Sequence, residues 1–469
     1  MENLKIKIMK IKRVSILLSD TCKFLITMFL IISICSCNNL DKSDQKINKI
    51  DEVKYSAHLN WMGHYYLDEK SRHRLIKEVE REFRVRNQEI DLKLDFAQEL
   101  YKGWDEQNVA IVSMMETGNY KYDIVDMDPS RYSNIGTKLR DPDWAHKYLV
   151  DFSEFDWFKE SHKSIIYSNK QIRESTGNLM PAPYLEGIYI SLWVNTKVLS
   201  QIGGTLKQFG INMNDIHDLL NKIKAYNKKN GSKIELFDLE RGYSSFHDLA
   251  RMLFMSAYFG LTDEEGNRDV GLKAIKRVAE EMEYLQQQTQ MKVPSTNWNF
   301  STNVIFKDKA LMCILPSWAI GKWQSVDSLE ILKMVPCELP IFEHDSKYYP
   351  GFFQGVFGVM KKSPNVDNAI KLMKYLCSES VAKRWLLYSK TPTGIKTRLN
   401  SSDFDQNDYD KFNNYINIKY STTTMDFDPL AVAFGPHYNP KYSGYLLDMY
   451  KVLEGEMTAK EYMSLFQKI

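Results

Sequence analysis

Residues 178–195 read Asn-Leu-Met-Pro-Ala-Pro-Tyr-Leu-Glu-Gly-Ile-Tyr-Ile-Ser-Leu-Trp-Val-Asn. Pro181 and Pro183 fix their own φ and push the residues before them into extended backbone. Gly187 then precedes a run of β-branched and aromatic residues, Ile188 to Val194, that suits a buried strand. The stretch therefore predicts an extended crossover feeding a strand, the connection by which a chain leaves one folded half for another.

On both sides of it, short apolar runs alternate with helical patterns, the rhythm of an α/β protein. Tyr55–Trp61 reads as a first strand ending in an aromatic loop. Leu75, Ile76, Val79 and Phe83 share one helical face. Ile90–Phe96 alternates with period two, and Asp123–Asp128 is a short strand stopped by Pro129. Downstream, Ile216, Leu219, Leu220 and Ile223 line a helix ending near Gly231, and a second helix is expected over Val270–Gln288. Strands are expected at 310–315 and 355–360, and a helix through Ala369, Leu372, Met373 and Leu376. Thr458-Ala-Lys-Glu461 is a capping box that opens a last amphipathic helix.

The chain has 469 residues, 62 basic and 60 acidic, and 43% of it is apolar. This excludes a disordered chain, a small disulfide scaffold and a strongly basic nucleic-acid binder. Lys5, Lys7, Lys10, Lys12, Arg13 and Lys23 precede an uncharged apolar core of 11 residues, Phe24–Ile34. That core is short for a membrane span, which takes about 20 apolar residues, and suits a signal peptide. It runs into Ile34-Cys35-Ser36-Cys37, which resembles a bacterial lipoprotein junction with Cys37 as the lipidated residue; a plain secretory signal and an N-terminal anchor helix are the alternatives. The first 36 residues hold six of the 62 basic and two of the 60 acidic side chains, so the chain from Cys37 onward carries 56 against 58, a formal charge of −2. Such a chain gives no electrostatic case for nucleic acid and suits an uncharged ligand.

The order of blocks over roughly 400 residues resembles bacterial extracellular solute-binding proteins of the oligosaccharide-binding type, the receptors of ABC importers. The blocks are the Cys37 junction, Asp123–Asp128, Leu149-Val-Asp-Phe-Ser153, Pro183–Lys197, Phe306-Lys-Asp-Lys-Ala-Leu-Met312, Pro316-Ser-Trp318, Ala369 through Pro392, and Leu453–Glu461. Tyr348-Tyr-Pro-Gly-Phe-Phe-Gln354 departs from the Gly-rich approach common in the family. The resemblance implies an α/β, two-lobed periplasmic-binding-protein-like fold of type II, with a ligand cleft between lobes joined by hinge strands. It sets residues 1–36 as signal peptide, 37–52 as tether, 53–185 plus 352–395 as lobe 1, and 186–351 plus 396–469 as lobe 2. It implies a monomer held to the membrane by its lipid, a carbohydrate ligand, the permease subunits of an ABC importer as partners, no cofactor and no nucleic acid.

Sugars present apolar C–H faces ringed by hydroxyls, so a cleft for them needs flat aromatic platforms and a few oriented polar groups. Trp61, Tyr65, Trp298 and Trp318 fall in expected loops after strands or beside Pro and Gly, where α/β folds place ligands. Trp318 also matches the tryptophan in the family's Gly-Ser-Trp-like loop. Asp126 and Asp128 at a strand end are candidate acceptors for ligand hydroxyls, with capping or a turn as the alternative. His247 is a candidate donor; Glu186, Phe352 and Gln354 lie on or beside the expected hinge strands, where Glu186 and Gln354 suit either a ligand contact or an interlobe hydrogen bond. The nucleophile-elbow, zincin, P-loop and dinucleotide motifs are absent from the sequence. A mostly helical surface glycan-binding lipoprotein and an exported glycoside hydrolase stand as alternatives.

Overall fold

The computed structural model describes residues 55–63, 70–127, 129–168, 177–238, 243–264, 266–290, 305, 307–317, 330–342, 351–389, 391–398, 434 and 448–466, all within the compact unit Tyr55–Ile469. In chain order, the elements that position the site begin with β1 (Ala57–Gly63), α1 (Lys70–Arg86), β2 (Ile90–Phe96), α2 (Trp104–Thr117), β3 (Ile124–Asp126), α3 (Pro129–Leu139) and α4 (Asp156–Ser161). There follow β4 (Glu186–Asn195), α5 (Met213–Asn230), β5 (Glu235–Asp238), α6 (Tyr243–Leu261) and α7 (Arg268–Thr289). The remainder are β6 (Ala310–Pro316), β7 (Met334–Cys337), β8 (Gly351–Gln354), β9 (Phe357–Val359), α8 (Val366–Leu376), α9 (Glu379–Ser389) and α10 (Ala459–Ser464).

The first sheet has the order β2-β1-β3-β9. β1 pairs in parallel with β2 and β3, and β9 returns antiparallel beside β3. A central parallel strand is covered on both faces, so its side chains are apolar in succession instead of alternating. Trp61, Met62 and Gly63 accordingly continue β1 beyond the expected turn, and Trp61 packs edge-on against Phe357 with ring centroids 5.1 Å apart. The aromatic residue expected in a loop is thus a core residue. β2 lies at the sheet edge and keeps its alternation, exposing Lys93. α1 lays Leu75, Ile76, Val79 and Phe83 into this core, as their spacing predicts.

The second sheet runs β5-β6-β4-β7. Its core gathers Leu192 and Val194 of β4, the apolar faces of α5, α6 and α7, and Tyr462 and Phe466 at the C-terminal end. α5 starts at a capping box of Asn212 with Asp215 and stops at Gly231, which adopts the left-handed φ of 60° that ends helices. Thr458 and Glu461 form the capping box of α10 as expected. Cys313, Cys337 and Cys377 are buried. Among the described residues no helix is long and apolar enough to cross a membrane.

β4 carries the chain from one core to the other. Its first four residues pair with β8, and from Ile190 it becomes the centre of the second sheet, between β6 and β7. Tyr184, Leu185 and Tyr189 belong to the first core, and Leu192 and Val194 to the second. A third segment crosses beside them: the Gly187 N–H donates to the Pro392 carbonyl at 2.5 Å, and the Gly394 N–H to the Tyr184 carbonyl at 2.9 Å. A Cβ on Gly187 would stand 2.8 Å from the Phe353 ring and 2.9 Å from Pro392, which explains why this position in the crossover carries no side chain.

Candidate functional site

At the carboxyl ends of β1 and β3 the first sheet holds a cluster of polar groups with no access to water. Asp126, the last residue of β3, is fully buried and accepts a 2.9 Å ion pair from Arg131 on the first turn of α3. Arg131 also donates to the Asn108 side-chain oxygen at 2.7 Å and to that of Gln107, both inward-facing on α2. Gln107 reaches back to the Met62 sulfur at 3.5 Å, which fastens α2 to the end of β1. Pro129 at the first position of α3 is pre-set for a helix start and turns the chain so that Arg131 points back over the strand end.

On this cluster rests Trp104, the first residue of α2. The Arg131 guanidinium carbon lies 4.4 Å from the centre of the Trp104 indole, a cation–π contact. Trp104 is only partly buried. The arrangement is therefore a flat aromatic shelf at the strand ends, with one ring contact made to a guanidinium whose charge Asp126 cancels underneath. The Asn108 side-chain nitrogen is buried and has no hydrogen-bond partner among the described residues. A flat aromatic shelf of this kind suits a ligand with an apolar face.

The sequence-predicted residues distribute unevenly around this cluster. Asp126 is present but supports Arg131 from below and is not itself exposed. Trp61 is wholly buried one strand away. Glu186 opens β4 and is 1% exposed, with one carboxylate oxygen 2.7 Å from Arg72 at the start of α1. Its Oε1 thus ties the crossover to α1, while Oε2 is buried with no hydrogen-bond partner among the described residues. Phe352 and Gln354 lie on β8, Gln354 paired by backbone with Glu186. His247 lies on α6 of the other half; burial, reinforced by Arg251, pushes its pKa down to about 4 and keeps it a neutral imidazole. Tyr65, Asp128, Trp298, Trp318 and Cys37 lie outside the described residues.

Trp104 and Arg131 were not among the candidates drawn from the sequence. The available signal was Gly103-Trp-Asp-Glu-Gln-Asn108: a tryptophan directly after glycine, at the head of a helix whose inward positions are amides where hydrophobes would be expected. No group of three or more His, Cys, Asp or Glu side chains able to hold a metal exists among the described residues.

Comparison with known proteins bears on the whole arrangement. No curated protein matches the sequence. Among solved structures, the GacH receptor of Streptomyces glaucescens, described unliganded and in complex with acarbose, is similar at 15% identity with a TM-score of 0.59, over 88% of this chain and 98% of that one. RafE of Streptococcus pneumoniae in its apo form is similar at 13% identity and a TM-score of 0.58, over 87% of this chain and 95% of that one. A solute-binding protein from Thermotoga lettingae bound with α-D-tagatose is similar at 19% identity and a TM-score of 0.53, over 87% and 97%. At these identities the likeness is one of fold: two α/β lobes of the periplasmic-binding-protein type. Residues 98–409, from just before α2 to beyond the third crossing segment, match the family described as bacterial extracellular solute-binding protein. The chain therefore belongs to the bacterial extracellular solute-binding protein family.

Proposed function

We propose that this protein is the lipid-anchored receptor of an ABC importer, and that it captures an uncharged carbohydrate of oligosaccharide size between its lobes and releases it chemically unchanged. The lobes on this reading are residues 53–185 with 352–395, and 186–351 with 396–469. The observation that carries the ligand class is the Trp104 shelf. An indole held against a neutralised Arg131 offers an apolar plane to a pyranose face, and stacking of this kind discriminates by shape and not by charge. The sugars named for similar structures, acarbose, raffinose and tagatose, support the class. The Phe24–Ile34 core running into Cys37 supports the anchor, with lipid chains contributing on the order of 0.8 kcal/mol per buried methylene.

The test is a thermal-shift and calorimetry screen over mono- and oligosaccharides. A true ligand at a hundred times its dissociation constant stabilises the fold by about 2.7 kcal/mol. Trp104→Ala is expected to weaken that ligand by 1–2 kcal/mol, roughly five- to thirtyfold, with little change in the unliganded melting temperature. Shifts with amino acids or oxyanions and none with sugars would refute the ligand class. Unaltered affinity in Trp104→Ala would refute the shelf.

A further inference from the structure

From Arg74 to Arg84 the outward face of α1 carries basic side chains that the ligand site does not use. Arg74, Lys77, Arg81 and Arg84 are exposed and spaced three and four residues apart, so they form one stripe, on the order of 15 Å long at the helical rise. The acidic residues of the helix sit lower. Glu78 and Glu80 are 19% and 18% exposed where their partners Arg74 and Arg84 are 71% and 50% exposed. Glu82 is drawn sideways to Arg384 and Tyr375. Lys77 lies over the Phe96 ring, and Arg81 has no ion pair among the described residues. Val85, 67% exposed, stands on the same face at the end of the stripe. A shallow groove between α1 and the edge strand β2 is lined by the four basic residues of the stripe with His73 and Leu94, and by Glu78 and Glu80 at its floor.

We infer that this stripe is a contact surface for anionic phospholipid headgroups. Each basic side chain near such a surface is attracted by it, and the exposed Val85 adds the apolar contact that a lipid interface rewards and a soluble polyanion does not. The position of the stripe favours the same occupant. Three residues past α1, the Glu89 carbonyl accepts from both the Ser56 backbone N–H at 2.9 Å and the Ser56 hydroxyl at 3.1 Å, so the basic end of α1 adjoins the point where the chain enters β1. Only residues 38–54 separate that point from Cys37, a reach of at most about 60 Å. The inference rests on the lipid-anchored reading for its setting, since an anchor at Cys37 keeps headgroups within range of the stripe.

The experiment uses the chain from residue 37 with Cys37→Ser, which carries no lipid, and vesicles of phosphatidylcholine alone or mixed with phosphatidylglycerol. Salt-sensitive binding to the mixed vesicles only is expected, falling roughly thirtyfold in the Lys77→Gln, Arg81→Gln double variant. That variant should keep the parent melting temperature and sugar affinity, because both side chains are exposed and neither belongs to the Trp104–Arg131 cluster. Equal binding to both vesicle types, an unaltered double variant, or an RNA oligonucleotide bound as tightly as the mixed vesicles would each overturn the inference. Failure of the anchor reading is seen separately, as the absence of lipid mass on Cys37 in the exported protein.

Discussion

Acidification should loosen the crossover through one buried imidazole. His162 is 1% exposed and sits at the end of α4. Its Nδ1 lies 2.8 Å from the Phe158 carbonyl, which can only accept, so Nδ1 carries the proton; Nε2 then accepts the Tyr184 N–H at 3.1 Å. Tyr184 is bonded in turn to Gly394, and Lys163, next to His162, donates its backbone N–H to the Gly394 carbonyl at 2.8 Å. A proton on Nε2 would set two donors against each other at this junction. Burial, against which the Phe158 bond works and to which the Lys396 charge adds, lowers the His162 pKa from 6.5 to about 4. The unfolded chain takes up its proton near 6.5 and the folded one near 4, so the stabilisation is intact above 6.5 and is lost as pH falls through that window. At about 1.4 kcal/mol per pH unit the loss is about 3 kcal/mol. The assay is denaturant unfolding of the parent and His162→Gln from neutral pH to about 4. Glutamine keeps a donor and an acceptor without titrating, and should cost roughly 1–3 kcal/mol at pH 7 through poorer geometry. On acidification the stability difference should move by about 3 kcal/mol in the variant's favour, closing the deficit or reversing it, because the carboxylates common to both proteins cancel. Parallel stability curves would refute the assignment.

Two substitutions test the crossover by packing and by charge. Gly187→Ala places a methyl group against the Phe353 ring and Pro392, both hemmed in, and is expected to cost about 1–3 kcal/mol of stability by denaturant unfolding; an unchanged midpoint would mean that the segments slide apart freely. Arg72→Met leaves the Glu186 carboxylate buried with its guanidinium partner removed and should cost about 3–5 kcal/mol. Adding Glu186→Leu should recover much of that loss, whereas additive losses in the double variant would show that the pair is not coupled.

Much of this architecture is written in local pattern, and its failures have a physical source. The apolar stripe of α1, the alternation of β2 and the capping box at Thr458 depend on residues within a few positions of one another. The strand limits of β1 depend on something distant: β3 and β9 cover Trp61 from parts of the chain far along the sequence, and an aromatic beside Met62-Gly-His-Tyr-Tyr66 looks like a loop until that cover is known. Glu186 was legible beside the hinge strands while its ion pair was not, because its partner Arg72 lies 114 positions away. The shelf was hidden for the same reason. Gln107 and Asn108 make sense only once Arg131 is placed between them and Asp126, and nothing local announces that Trp104 has a cation beneath it.

The buried charges of the first lobe also constrain what the site can select. Asp126 and Arg131 are fully buried, as are Glu186 and Arg72 to within a few per cent, and in each pair one sign cancels the other. A buried pair gains little net stability over a hydrophobic replacement, because desolvating both ions offsets most of their attraction. What such a pair does supply is a fixed donor geometry without a net field. Beneath Trp104 this means that the Asp126–Arg131 pair offers a charged solute no uncompensated counter-charge, while a neutral polyol surrenders only hydrogen bonds that oriented dipoles can replace. The near-neutral balance of the chain from Cys37 onward extends the same condition to long range, since no strong field steers ions toward the cleft. On the proposed carbohydrate reading, discrimination between sugars would fall to ring shape and hydroxyl placement over the Trp104 shelf. For this reason replacing Arg131 by a neutral residue, which would leave Asp126 buried without its partner, would alter both the fold and the charge class the site accepts, whereas truncating Trp104 reports on stacking alone.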